Sequence, residues 1–132
     1  MKARQYRDFG KILAVLSQVE NFRKLPLEFV HMSLAPSVMY GNYQMVPQQA
    51  GFFIWGFLDD EASEQYAQEG RFPPEALGQG KNLWVFYMAA LGSSFRVARE
   101  AQRYLSSRYP NAIAKSRRHW KDGRVQEWKR AK

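Results

Sequence analysis

The sequence predicts an α/β fold of the α+β kind, with helices packed on a mixed, mostly antiparallel sheet. Three observations predict it. Apolar residues recur at three- and four-residue steps near the amino terminus, which is the period of an amphipathic helix. Two runs rich in aromatic and branched residues flank the turn-like segment PQQAG, which is the pattern of a β-hairpin. The run LWVFYMAAL is apolar throughout and short, as a strand buried on both faces should be.

In chain order, Phe9, Ile12, Leu13, Leu16 and Val19 define the inward stripe of a first helix from about Arg4 to Val19. Pro26 and Pro36 then bracket LEFVHMSLA, a stretch so punctuated that short irregular structure or a turn of helix is expected. The hairpin pairs 40–46 with 51–58. The acidic stretch DDEASEQYAQE follows as a helix, with Asp59 or Asp60 as its N-cap and early carboxylates that favour the helix dipole. After a loop with two prolines and two glycines comes the buried strand at 83–91. Ser93 or Ser94 should cap the next helix, with Phe95, Ala98, Tyr104 and Leu105 inward and Arg96, Arg99 and Arg103 outward, ended by Pro110. Asp122-Gly123 between two alternating runs predicts a closing hairpin.

A chain of 132 residues is the size of one domain, so 1–132 is expected to share a single core. Hydrophobic residues make up 45% and aromatic residues 15%, which sets it apart from disordered chains. Without cysteine there is no disulfide framework and no thiolate nucleophile, which suits a reducing cytoplasm. Two isolated histidines, His31 and His119, give no zinc pattern, so no metal and no cofactor is expected. No secretory leader is expected, and no run approaches the ~20 apolar residues of a membrane span.

Charge is unevenly spread. Residues 1–94 carry eight Lys or Arg against nine Asp or Glu, whereas 95–132 carry twelve against three, within a net charge of +8. Such asymmetry implies an acidic partner: a protein, a nucleic acid or an anionic surface. Lys115, Arg117, Arg118, Arg124, Lys129 and Arg130, interleaved with Trp120, are the candidate partner-binding residues, together with Arg23 and Lys24. The opposing reading is a basic strand face whose long side chains snorkel over tryptophans. No phosphate loop, dinucleotide fingerprint, HExxH or GxSxG motif is present. The triplet Asp59, Asp60 and Glu61 reads as a capped helix start, and His31 as a structural histidine.

Four segments carry a resemblance to a known family: FRKLPLEFVHMSLAPSVMYGNY with its prolines ten apart, GFFIWGFLDDE, LWVFYMAALG and YPNAIAKSRRHWKDGRVQEW. In order and spacing the chain resembles a shortened, divergent toxin-activating lysine acyltransferase. This bacterial family has an N-acetyltransferase-like fold and moves a fatty acyl group from acyl carrier protein to toxin lysines. The resemblance implies a catalytic histidine four residues before the first proline and a catalytic aspartate six before the strand-ending glycine. Those positions hold Phe22 and Phe86. A phenyl ring neither takes nor gives the proton that a lysine nucleophile must lose. His31 and Tyr87 are the nearest titratable substitutes. The expectation is a pseudoenzyme: a regulatory, protein-binding homologue, such as an accessory factor of a mobile element, whose partner is acidic in the manner of a carrier protein or a regulatory target. An active acyltransferase using acyl carrier protein and a nucleic-acid-binding module remain as alternatives, and a homodimer stays open.

Overall fold

The computed structural model describes residues 1–117 and 124–128, apart from the side chains at 20, 21 and 29. The order is α1 (Ala3–Leu16), α2 (Glu20–Arg23), α3 (Leu27–Met39), β1 (Tyr43–Val46), β2 (Gly51–Leu58), α4 (Asp60–Glu69), β3 (Asn82–Ala90), α5 (Ser94–Arg108), β4 (Lys115–Arg117) and β5 (Val125–Glu127). The five strands form one sheet in the order β1-β2-β3-β4-β5. β1 pairs antiparallel with β2, and β4 with β5, while β3 and β4 run parallel. The fold is therefore mixed and mostly antiparallel, as predicted.

Backbone contacts divide the chain into two compact units, 1–54 with 87–99, and 55–86 with 100–132. The first unit holds a core of Phe9, Ile12, Val15 and Leu16 from α1, Val30, Leu34, Ala35 and Val38 from α3, and Phe52, Ile54 and Ala89 from the strands. Phe9, Ile12 and Leu16 match the predicted stripe; Val15 joins them, Leu13 is only partly buried, and Val19 falls beyond the end of α1, where it is extended and introduces α2. The register Tyr43↔Ile54 to Val46↔Gly51 closes the β1–β2 hairpin through a single 3₁₀ turn at Pro47–Gln49. Gly51 is required by close approach, since a Cβ there would stand 2.7 Å from the Ala89 carbonyl oxygen and 2.8 Å from Val97.

The segment expected to be irregular is instead α3, which runs through Pro36. Proline removes one backbone donor. Near the helix end that loss is outweighed by burial of Leu34 at 1% and Val38 at 0% exposure, and the helix still closes with Tyr40 N–H on the Pro36 carbonyl at 3.1 Å.

In the second unit, Asp59 is the N-cap of α4, its carboxylate accepting from Ala62 N–H at 2.8 Å. Leu83–Phe86 of β3 are buried at consecutive positions, as a strand covered on both faces requires. Across α5, Ser93 is the cap, its hydroxyl accepting from Arg96 N–H at 3.2 Å. The inward face is Val97, Ala101 and Leu105, and Phe95 points outward at 69% exposure, contrary to the sequence expectation. The cause is phase: Val97, Ala101 and Leu105 follow four-residue steps that leave Phe95 outside the stripe. β4 and β5 pair from Lys115↔Glu127 to Arg117↔Val125, which gives the predicted closing hairpin its two arms. Its Asp122-Gly123 turn lies outside the described residues. No helix among the described residues is long and apolar enough to cross a membrane.

Candidate functional site

Phe22 belongs to the four-residue α2, which Val19 introduces in extended conformation and Lys24 ends. Its ring is half-buried and meets Tyr87 edge to face, with centroids 5.8 Å apart and planes at 66°. Burial raises the Tyr87 phenol above its ordinary value, against a smaller opposing effect of a hydrogen bond from Ser33. A phenol held more firmly protonated is a weaker base at neutral pH. Tyr87 thus adjoins Phe22, in a setting that works against proton abstraction.

His31 lies on the exposed side of α3 with its ring edge against Phe9 at 5.9 Å. Among the described residues no carboxylate lies within ion-pair reach of His31 to orient it as a base. Arg23 and Lys24 are exposed in the same unit. A buried acid, Asp8, is present there, but it accepts from the Tyr43 hydroxyl at 2.5 Å and lies 3.8 Å from Arg4. Desolvation first, and the Asp8 contact second, push the Tyr43 phenol up to about 12. This trio ties α1 to β1.

Phe86 lies in the other unit, on β3, at 4% exposure. It meets Tyr66 at 5.3 Å and 89°, and Phe72 at 5.3 Å and 30°, while Tyr66 also meets Trp84 at 4.9 Å. Gly56 makes the room for it, because a Cβ there would come within 2.6 Å of Phe86 Cε2 and 2.8 Å of Leu77. Burial of one such ring stabilises by roughly 1.5–3 kcal/mol, with the edge-to-face pairs adding to it. Tyr66 also meets Phe72 edge to face at 5.6 Å, which closes the ring cluster.

The basic final third divides. Arg117 is engaged internally: its Nε donates to the Ala67 carbonyl at 3.2 Å and its Nη2 to that of Gln68 at 3.4 Å, at the C-terminal end of α4. There a guanidinium satisfies carbonyls that the helix leaves unpaired. Lys115 is half-buried with Nζ 5.9 Å from the Trp84 ring centre. Trp128 is buried and donates its indole N–H to Ser116 at 2.9 Å. Arg124 is exposed. Arg118, Trp120, Lys129 and Arg130 lie outside the described residues.

Sequence reasoning passed over one polar cluster in the second unit. Arg108, exposed in the last turn of α5, donates from Nη1 to the Tyr104 hydroxyl at 2.8 Å and from Nε to the Tyr109 hydroxyl at 3.1 Å. The Trp55 indole N–H also donates to Tyr109, at 3.2 Å. The four-residue step from Tyr104 to Arg108 was the signal that could have found it. Among the described residues no group of three His, Asp or Glu gathers as a metal site would need.

The element order, with its five-stranded and mostly antiparallel sheet, fits an α+β scaffold of the acyltransferase class. Comparison with known proteins agrees. The family model described as the RTX toxin acyltransferase family (HlyC) matches residues 1–129, and the chain belongs to that family. It is also similar to the uncharacterized protein sll0720 of Synechocystis sp., with 25% identity over 122 residues that cover 87% of this chain and 81% of the relative.

Proposed function

We propose that the chain is a non-catalytic member of its family which binds an acidic macromolecule and regulates it, with exposed cations of the basic final third and Arg23 and Lys24 as the contact residues. The setting of Phe86 carries this reading. At the position where the resemblance expects a carboxylate, a ring is packed between Tyr66 and Phe72 over a glycine. An acid buried among these rings would lose its hydration, which favours its protonated form over a base at neutral pH. Phe22 likewise offers no proton acceptor, and burial moves Tyr87 away from that role. The carrier protein with which the family works is acidic, so a basic surface is compatible with a carrier-like partner. A cytoplasmic location fits the reading.

The test is incubation of the purified protein with acylated carrier protein and lysine-bearing acceptor proteins, read by mass spectrometry. No acyl-lysine above the uncatalysed background is expected. Turnover that disappears in His31→Ala would overturn the proposal in favour of a working acyltransferase. In parallel, carrier protein is expected to bind with an affinity that falls with salt. Equal loss of binding to single-stranded nucleic acid in Arg124→Ala would instead favour nucleic acid as the partner.

A further inference from the structure

We infer that Arg108, Tyr104 and Tyr109 form a binding site for an oxyanion at the carboxyl-terminal end of α5, a phosphate or carboxylate group presented by a ligand from solvent. The inference stands on hydrogen-bond accounting in the second unit and is independent of whether the protein transfers acyl groups.

An exposed arginine ordinarily keeps its rotamer freedom, and fixing so long a side chain costs entropy. Here the guanidinium is held by two phenol oxygens. It also lies 5.8 Å from the Tyr104 ring centre and 5.7 Å from that of Tyr109. Neither partner is an acid, and among the described residues Arg108 forms no ion pair. Its charge is therefore positioned without being neutralised. Arginine carries five N–H donors, and the two phenols take only one from Nε and one from Nη1, which leaves both donors of Nη2 and the second of Nη1 for another acceptor.

Tyr109 sharpens the point. Its oxygen already accepts from Arg108 Nε and Trp55 Nε1. Its own proton must then be donated elsewhere, and among the described residues it has no acceptor. The remaining capacity at Arg108 and Tyr109 is donor capacity, beside a fixed positive charge. A group that only accepts and carries negative charge satisfies both, and oxyanions of phosphate or carboxylate are that group. The aromatic walls, with Phe57 against Tyr109 at 4.9 Å and Trp55 against Tyr104 at 5.2 Å, hold the phenols in place before any ligand arrives. Such preorganisation lowers the cost of binding. The carboxyl-terminal end of α5 carries partial negative charge and disfavours an anion, so the attraction comes from the guanidinium and the spare hydroxyl proton and not from the helix.

The experiment uses the full chain, with NMR signals of the Arg108 Nε–H and the Trp55 indole N–H followed at constant ionic strength. Inorganic phosphate and acetate are titrated separately against sodium chloride. Saturable movement of both signals with phosphate, with acetate or with both is expected, and the stronger arm identifies the source chemistry. Arg108→Gln should weaken the response at least tenfold, and Tyr109→Phe, which removes the hydroxyl but keeps the ring, several-fold. Should Arg108→Gln fail to fold, Arg108→Lys takes its place, since it keeps the charge and loses the planar fork. The inference is overturned if neither anion gives saturable movement, or if the folded arginine variant responds as the wild type does.

Discussion

Phe22 stands in a four-residue helix, half-buried, with its ring edge on Tyr87, whereas Phe86 stands inside a nine-residue strand at 4% exposure, locked among Tyr66, Phe72 and Gly56. One residue type thus sits in two unlike settings. At position 22 the ring is half-buried and its surroundings still reach solvent. At position 86 the surroundings themselves are apolar and leave no space for a hydrated group. A polar side chain would need one substitution at position 22, whereas at position 86 an entire packing arrangement would have to change.

That contrast can be broken by measurement. Phe86→Asp should have the largest effect, about 4 kcal/mol or more from the cavity and the buried polar group together, read by urea denaturation. A loss below about 1 kcal/mol would mean that the cluster yields readily. Gly56→Ala comes next, at roughly 1–3 kcal/mol for overpacking. Phe86→Leu in that background should recover part of the loss, because the clashing ring is gone. Arg117→Ala should cost about 1–2 kcal/mol through the lost carbonyl contacts on α4, while Arg124→Ala, at an exposed position, should cost under about 1 kcal/mol and act mainly on binding. Phe22→His should be nearly silent, under about 1 kcal/mol, and should restore no acyl transfer.

A separate effect concerns pH. The Tyr43 phenol, ordinarily at 10.0, is raised to about 12 in the folded chain, chiefly by desolvation and then by Asp8. Above pH 10 the unfolded chain gives up this proton while the folded chain keeps it, so the unfolded state binds fewer protons and stability falls as pH rises. The contribution is fully present below about pH 10 and is lost as pH rises through about 12. Comparing denaturation midpoints at pH 9 and 11, Tyr43→Phe should show a flatter profile than the wild type.

Much of this architecture was legible from local pattern. The α1 stripe, the Asp59 cap and the buried strand rest on periodicity and capping, which are written in neighbouring residues. The helix through Pro36 was not, because its stability comes from Leu34 and Val38 entering a core built by distant segments. The two phenylalanines were visible through spacing to prolines and a glycine, yet their unlike settings were not, since Gly56 and Phe72 reach Phe86 only through tertiary packing. The same limit applied to charge. Sequence counts Arg117 with the other cations, and only the fold shows its guanidinium turned onto the end of α4.

The fit of the Phe86 ring over Gly56 also limits what position 86 can accept. An acid introduced there alone would open a void against a residue that has no side chain to fill it, and would strand a carboxylate among rings. Proton-handling chemistry at this point of the sheet would take coordinated changes on two strands.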